Sequence, residues 1–209
     1  MMLLDHIKNL TSEPSKVWLK NIRDGVPTAA FGVCDGAKRA LSALPDKRVL
    51  YVAKDRLSAM SAREEFFFLT GKKSVYMPAK DDVLLYKKFF NKDNYYDRIA
   101  ALYSAKDATF VTTTIEALLQ LIPKTIPAFT LSVNEEFSLD KIAAMLVEYG
   151  YRRIEFAIER GSFALRGDIL EIFPINSDIP FRFDFFGDEL ERIRSFDVET
   201  RKAEDEIDS

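Results

Sequence analysis

The chain has 209 residues, a length typical of one large domain or two small ones. Hydrophobic residues make up 47% and charged residues 30% of it, a balance that excludes a disordered or collagen-like chain. One cysteine and one histidine exclude an internal disulfide framework, a multi-cysteine zinc site and a two-histidine metal motif. They also leave no credible nucleophile–base pair, so we expect no catalytic residue, no metal and no cofactor.

The net charge of −3 conceals an asymmetry. Residues 1–130 carry 20 lysines and arginines against 14 acidic residues, whereas residues 131–209 carry 10 against 19. A protein that grips duplex DNA is usually basic overall, because neutralised phosphates dominate the affinity. The chain is therefore not typical of a DNA-binding module. The change in charge predicts two units with different surfaces that meet near residues 121–128.

The apolar runs of the sequence are short. The longest has about six residues, far fewer than a membrane span needs, and the N-terminus lacks a signal-peptide pattern. We therefore expect a soluble, cytoplasmic protein with no membrane partner.

Residues 1–128 alternate predicted strands and helices. Strands are expected at residues 28–32, 48–53, 74–77 and 108–113, and helices at residues 37–44, 57–70, 97–105 and 115–122. This alternation favours a parallel sheet covered by helices on both faces. Between the strand at residues 74–77 and the helix at residues 97–105, residues 80–96 are expected to form a polar, aromatic loop. The lysines and aromatics of residues 87–98 are compatible with base stacking on nucleic acid or with pinning the loop to its own domain.

Residues 129–198 follow a different pattern. Ser138 is expected to cap a helix over residues 139–149 with one apolar stripe. Four alternating segments follow, at residues 153–158, 163–173, 180–186 and 189–196, separated by glycine and proline. The predicted fold class is thus an α/β, RecA- or helicase-like domain with a degenerate P-loop, followed by a small α+β domain with an antiparallel sheet. Residues 199–209 look like a frayed tail or the start of a further region.

A segment between the first predicted strand and helix lies where a phosphate-binding loop would be. Such a loop reads G-x-x-x-x-G-K-[ST], in which the second glycine lets backbone N–H groups wrap the phosphates and the hydroxyl holds Mg²⁺. Gly32 and Lys38 fit, but Ala37 follows Gly36 in place of the second glycine and Arg39 replaces the hydroxyl residue. We interpret the segment as a degenerate loop that binds no nucleotide.

Four arginines, Arg152, Arg153, Arg160 and Arg166, lie within fifteen residues of the second unit. The planar fork of arginine meets carboxylates bidentately and suits protein interfaces. Phe163, three residues before Arg166, is expected on the opposite face of the sheet, in the core. Two interpretations stay open: a protein-binding patch, or a solvated face that pairs the arginines across strands. The carboxylates available for such pairing are Glu155, Glu159, Asp168 and Glu171.

Three strings carry a family resemblance: YRRIE at residues 151–155, RGSFALRGDILEIFP at 160–174 and DFFGDELERIRSFD at 184–197. They resemble the UvrB-homology module of bacterial nucleotide excision repair, and VTTTIEALLQ at 111–120 extends the resemblance to the first unit. UvrB keeps an intact phosphate loop and a longer aromatic hairpin, which this sequence does not have. The chain is therefore more similar to the N-terminal region of transcription-repair coupling factors, a UvrB-like unit without ATPase activity.

The resemblance implies that the second unit recruits UvrA. The implied contact or supporting positions are Arg152, Arg153, Arg160, Phe163, Arg166 and Asp168. UvrB usually reads F-R-V-R-G-D where this chain has Ala164 in place of the first arginine, so Arg152 or Arg166 is expected to bear more of the interaction.

At the level of the whole protein, the resemblance implies a non-catalytic adaptor that links stalled transcription to DNA repair. The full-length parent would be an ATP-dependent DNA translocase whose further domains bind RNA polymerase and duplex DNA. The alternative is a nucleotide-dependent enzyme of the UvrB type that loads onto DNA damage.

Overall fold

The computed structural model describes residues 12–45, 47–80 and 92–207. These fall into two units: unit 1 lies within residues 1–90 and 101–122, and unit 2 within residues 91–100 and 123–209. The domain limits expected from the sequence, 1–128, 129–198 and 199–209, stay a prediction. The helices are α1 (Glu13–Arg23), α2 (Asp35–Ala43), α3 (Arg56–Thr70), α4 (Lys92–Ser104), α5 (Ile115–Leu119) and α6 (Leu139–Glu148). The strands are β1 (Val49–Ala53), β2 (Ser74–Tyr76), β3 (Phe110–Thr114), β4 (Arg152–Arg153), β5 (Ser162–Arg166), β6 (Ile169–Phe173), β7 (Phe181–Phe186), β8 (Glu189–Phe196) and β9 (Ala203–Ile207).

Unit 1 is built on a three-stranded parallel sheet in the order β1-β3-β2. On one face, Phe66 of α3 stacks on Phe110 with ring centroids 4.6 Å apart. Val111 packs instead with a second cluster around Met77 and Ala117. Because neighbouring strand residues point to opposite faces, the two clusters cover both faces of the sheet. The predicted parallel sheet with helices on both sides is confirmed.

Helix α3 shows why the predicted element forms where it does. The side chain of Asp55 accepts a hydrogen bond from the backbone N–H of Ser58 at 2.7 Å and so caps the first turn. Gly71 ends the helix at φ +65°, a left-handed conformation that glycine adopts without steric cost. Phe66 and Ala62, both fully buried, turn one side of the helix to the sheet.

The strand predicted at residues 28–32 is wrong. Residues 28–31 have no regular secondary structure, and Gly32 lies in a bend at φ +68°. The one large apolar side chain of this run, Phe31, is 92% exposed, so no buried surface fixes the segment in the sheet. The strand–loop–helix arrangement of a phosphate-binding loop is therefore absent at this place, and the P-loop domain predicted from the sequence is not confirmed.

The last part of the aromatic loop predicted at residues 80–96 is helical instead. Helix α4 already begins at Lys92, so residues 92–96 are helical rather than looped. Residues 81–91, and with them the first part of the basic, aromatic stretch, lie outside the described residues.

Unit 2 contains a six-stranded sheet in the order β4-β5-β6-β7-β8-β9. The pairs from β5 to β9 are antiparallel, whereas β4 runs parallel to β5. The predicted antiparallel sheet is thus confirmed except for its first strand, which has two residues instead of the expected six. Ile142 and Leu146 of α6 pack into the core beneath the sheet with Phe163 and Leu170.

Two details of unit 2 differ from the sequence expectations. Ser138 occupies the N-cap position of α6, but its side chain makes no capping hydrogen bond. The segment expected as a tail adds the edge strand β9, whose Ile207 lies opposite Ile193 and packs against the core. A single large apolar residue is enough here because the neighbouring strand supplies the backbone partners.

The hairpins β5–β6 and β7–β8 turn at the same end of the sheet. Arg166 pairs with Ile169, and Phe186 with Glu189, so each loop has two residues. The first loop residue is glycine in both, Gly167 at φ +56° and Gly187 at φ +63°. A positive φ at the first position is the requirement of a tight type II′ hairpin turn, which glycine satisfies.

Candidate protein-docking face

The sheet of unit 2 has two chemically different faces. Phe163 and Leu165 of β5 point to α6, so Ala164 and Arg166 point to the opposite side. The strand register places Glu171 beside Ala164, and Arg182 beside Glu171, on that same side. We call this side the polar face. Its strand residues include Ala164, Arg166, Ile169, Glu171, Arg182, Asp184, Phe186 and Arg194.

Glu171 is the centre of the polar face. Its Oε1 accepts hydrogen bonds from Arg166 Nη2 at 2.8 Å, from Arg182 Nη2 at 3.0 Å and from Arg201 Nη2. The side chain is only 1% exposed. Its other oxygen, Oε2, is buried and accepts no hydrogen bond from the described residues. Three guanidinium groups thus converge on one oxygen of one buried carboxylate.

The pKa of Glu171 reflects two opposing effects. Burial by itself raises the pKa of a carboxyl group, because it disfavours the charged form. The hydrogen bonds and positive charges of Arg201, Arg182 and Arg166 outweigh burial, so that the pKa lies below the usual range. Glu171 is therefore ionised at neutral pH, and the cluster carries three positive charges against one negative charge.

Two aromatic rings fix the arginines in place. The guanidinium carbons of Arg166 and Arg201 lie 4.5 and 4.3 Å from the ring centroid of Phe156. Arg182 and Arg201 lie 5.1 and 5.2 Å from that of Phe196. Cation–π contacts of this kind favour one orientation of the planar guanidinium group. The arginines are oriented by stacking as well as by hydrogen bonding.

Arg201 reaches the cluster from the turn between β8 and β9. Its backbone has φ +59°, which is uncommon for a residue other than glycine. The turn is held by Asp197, whose Oδ1 accepts from Thr200 N and Oγ1, both at 2.7 Å. The unusual backbone brings the Arg201 side chain over the polar face to Glu171, thirty residues earlier in the chain.

Arg152 and Arg153, the first two predicted docking residues, form the exposed strand β4. Arg152 pairs with Glu159, as the pairing interpretation expected. Arg153 is exposed and has no ion pair or side-chain hydrogen bond with any residue in the described ranges. Of the two, only Arg153 has its full set of donors available.

Arg160 is held by partners within unit 2. Its Nη1 donates to Asp97 Oδ1 at 2.7 Å and its Nη2 to the carbonyl of Ile175, and the side chain is only 16% exposed. Gly161 beside it has so little space that a Cβ atom there would lie 2.6 Å from the Tyr96 hydroxyl. Arg160 thus connects α4 to the loop after β6, and its donors are turned inward.

Phe163 is buried, whereas Asp168 is exposed. Phe163 is fully buried in the core beneath the sheet, as expected. Asp168 is exposed in the β5–β6 turn, where its carbonyl accepts from the N–H of Phe185 at 2.9 Å. Phe163 can support the face only through packing, whereas the Asp168 carboxylate is accessible to a partner.

Two apolar residues at the turn end of the polar face were missed by the sequence reasoning. Ile169 is 38% exposed directly opposite Arg166, and Phe186 is 75% exposed beside the β7–β8 turn. The signal was present in Phe185 and Phe186, because two consecutive strand residues cannot both face the core. The exposed corner of the polar face, formed by Arg166, Ile169 and Phe186, combines an oriented cation with apolar surface.

In unit 1, Arg39 of the predicted degenerate loop is bound to side chains of α3. Its Nη1 pairs with Glu65 of α3 and donates to Ser61 Oγ at 3.2 Å, and the side chain is 14% exposed. Where an intact phosphate loop has a hydroxyl for Mg²⁺, this chain has an arginine committed to a neighbouring helix.

Comparison with known proteins finds a similarity that covers most of unit 2. The family model described as "UvrB interaction domain" matches residues 129–209. This stretch of the chain is therefore similar to the UvrB interaction domain family. The chain is also similar to transcription-repair-coupling factors, which confirms the resemblance drawn from the sequence.

Three such relatives illustrate the extent of the similarity. The Haemophilus influenzae factor is 45% identical over 76 residues, which is 36% of this chain and 7% of that protein. The Escherichia coli factor is 34% identical over 82 residues, 39% of this chain and 7% of that protein. The Myxococcus xanthus factor is 30% identical over 154 residues, 68% of this chain and 13% of that protein. The match thus covers only a small part of the length of these relatives.

None of the helices described is both long and apolar enough to cross a membrane.

Proposed function

We propose that the chain is a non-catalytic adaptor region of a transcription-repair coupling factor, and that unit 2 recruits UvrA in the bacterial cytoplasm. The observation that carries the proposal is the exposed corner of the polar face. Arg166 is held there by Glu171 and Phe156 while 41% of its side chain stays exposed. The UvrB interaction domain match and the coupling-factor relatives support the same role.

The composition of this corner fits a protein partner. Aromatic and arginine side chains are the most frequent energetic hot spots of interfaces. Phe186 and Ile169 offer apolar area to bury, and Arg166 offers charged donors to a carboxylate. The partner surface that matches is apolar with at least one acidic residue.

We assign the predicted docking residues different roles. Arg166 and Arg153 contact UvrA, with Phe186 added from the structure. Phe163 and Asp168 hold the face in shape, and Arg152 adds a contact at its rim. Arg160 acts only by connecting elements within unit 2, because its donors are used internally.

For the parent protein, we propose an ATP-dependent DNA translocase that binds RNA polymerase and duplex DNA through regions outside this chain. The alternative, a UvrB-type enzyme acting through this chain, needs a nucleotide in the degenerate loop. The pairing of Arg39 with Glu65 of α3 counts against it.

Binding of purified UvrA to the 209-residue chain tests the proposal. Arg166→Glu should weaken binding at least about thirtyfold, equivalent to about 2 kcal/mol, because it replaces a donor with a like charge at an acidic partner. Arg166→Lys should weaken it less, since a point charge replaces the planar fork. Phe186→Ala should weaken it about tenfold.

Lys141→Glu is the matched control, because Lys141 is an exposed residue of α6, on the other side of the sheet. It should leave the affinity unchanged. If Arg166→Glu melts like the wild type and still binds UvrA with wild-type affinity, the proposed face is wrong, and the acidic edge at residues 184–191 becomes the next surface to test.

A further inference from the structure

We infer that Glu171 is the positioning residue of the docking face: it holds the Arg166 guanidinium group in its exposed orientation without cancelling its charge. The inference rests on the proposed function, since it concerns how Arg166 is presented to an acidic partner. Glu171 itself is fully buried and offers no exposed surface to a partner.

The orientation of Arg166 is fixed at three points. Its Nη2 donates to Glu171 Oε1 at 2.8 Å, and its Nη1 lies 3.3 Å from the carbonyl oxygen of Glu155. The ring of Phe156 lies 4.5 Å from the guanidinium carbon. A guanidinium group has five N–H donors, and these contacts use only part of them. The remaining donors stay available on the exposed part of the side chain.

The charge of Glu171 is shared among three cations. Arg182 and Arg201 bind the same Oε1 and are 20% and 25% exposed. Asp184, another carboxylate of the polar face, is paired with Arg194 and not with the three arginines of the cluster. An isolated Arg–Glu pair would be neutral, whereas Arg166, Arg182 and Arg201 together with Glu171 carry a net charge of +2. The cluster therefore attracts a carboxylate from outside.

This arrangement separates two requirements of recognition. An arginine that is ordered before binding loses less conformational entropy when the complex forms. An arginine paired one-to-one would be ordered but electrically satisfied. By binding three guanidinium groups at once, Glu171 orders Arg166 and leaves the site positive.

A double-mutant cycle on the 209-residue chain tests the inference with purified UvrA as the probe. The variants are Glu171→Gln, Arg166→Ala and the double variant, each measured for UvrA affinity and for thermal stability. Glu171→Gln should weaken binding about three- to tenfold in the wild-type background, the loss expected when one side chain must be ordered on binding. In the Arg166→Ala background the same change should have no effect on affinity.

A second measurement is independent of the partner. The Nε–Hε signal of Arg166 in ¹⁵N NMR should report a restrained side chain in the wild type and an averaged one in Glu171→Gln. Glu65→Gln is the matched control, since it also frees an arginine from a glutamate, but in unit 1. It should change neither the affinity nor the Arg166 signal. If Glu171→Gln does not fold, Glu171→Asp, which keeps the charge and shortens the reach, takes its place in the same cycle.

The outcomes separate the inference from the proposed function. Unchanged affinity of Arg166→Ala would contradict the proposed function and the inference with it. A loss in Arg166→Ala together with no effect of Glu171→Gln would overturn the inference alone. An equal loss from Glu171→Gln in both backgrounds would also overturn it, because Glu171 would then act on the fold and not through Arg166.

Discussion

Two arginines that the sequence singled out, Arg39 in unit 1 and Arg166 in unit 2, each pair with a glutamate, and the two pairs differ in how many arginines share the carboxylate. In unit 1, Arg39 and Glu65 pair one to one, with the arginine 14% exposed. In unit 2, Arg166 shares Glu171 with two further arginines and stays 41% exposed. The charge of Arg39 is therefore balanced within the fold, whereas Arg166 keeps positive charge and N–H donors that a partner can bind.

The comparison explains why the same residue type has different meanings in the two units. Arg39, in the segment where the sequence predicted a degenerate phosphate loop, is not available to bind phosphate because it is paired with Glu65. Arg166 is not neutralised by Glu171, because three arginines share that one carboxylate. The number of partners that share a carboxylate, and not the presence of a pair, indicates which arginine is available for recognition.

The strongest test of this comparison removes the core that supports the polar face. Phe163→Ala should destabilise unit 2 by about 3–5 kcal/mol, because a fully buried phenylalanine leaves a cavity. Urea unfolding followed by circular dichroism measures the loss. Fluorescence of Trp18, the single tryptophan, which lies in unit 1, should show an unchanged transition if each unit unfolds by itself.

Phe186→Ala is the control for this variant, because its side chain is 75% exposed. It should alter stability by less than about 0.5 kcal/mol. Equal losses in the two phenylalanine variants would contradict the assignment of Phe163 to the core and Phe186 to the surface.

A smaller loss of stability is expected when Arg160 of unit 2 loses its ion-pair partner Asp97. Asp97→Asn removes the charged partner of Arg160, whose side chain is 16% exposed, and should cost about 1–2 kcal/mol. Asp178→Asn, an exposed loop carboxylate of the same unit, should cost almost nothing. Urea unfolding measures both variants. UvrA affinity should stay unchanged in Asp97→Asn; a selective loss of affinity would return Arg160 to the list of contact residues.

The stability of unit 2 at acid pH should depend on the ionisation of Glu171, the carboxylate that three arginines share. The pKa of Glu171 is lower in the folded chain than the value of about 4.3 in an unfolded one. The stability it contributes is therefore complete above the unfolded pKa and is lost as the pH falls through the folded pKa. Thermal melts between about pH 5 and pH 3 should show a steeper loss for the wild type than for Glu171→Gln. Parallel curves for the two proteins would contradict the ionised, buried state.

Local patterns predicted most of unit 2 because its elements are specified by neighbouring residues. The apolar stripe of α6 and the glycines that punctuate the hairpins mark where each element begins and ends. Phe163 could be placed in the core from strand alternation alone. The same local reasoning failed at residues 28–32, where a short apolar run has no buried contact to hold it.

The centre of the candidate site could be predicted only in part. Glu171 was among the carboxylates considered for pairing, and Arg166 among the arginines. The contribution of Arg201 depends on a turn thirty residues away with a left-handed backbone, and that of Asp97 on a helix 63 residues before Arg160. Contacts between residues so far apart in the sequence leave no periodic signal in it. That three arginines share Glu171 could therefore be seen only in the structure.

The smallest effect is expected in the degenerate loop, where titration with Mg-ATP should show no binding in a calorimeter. The loop lacks the second glycine and the Mg²⁺ hydroxyl, and Arg39 is committed to Glu65. Ala37→Gly with Arg39→Thr restores the pattern on paper but breaks the Arg39–Glu65 pair, which should cost up to about 1 kcal/mol of stability. It should still not produce hydrolysis, because no strand precedes the loop in the described part of unit 1. Micromolar binding of Mg-ATP by the wild type would contradict the contrast between the two units. It would mean that Arg39 can still bind phosphate although it is paired one to one with Glu65.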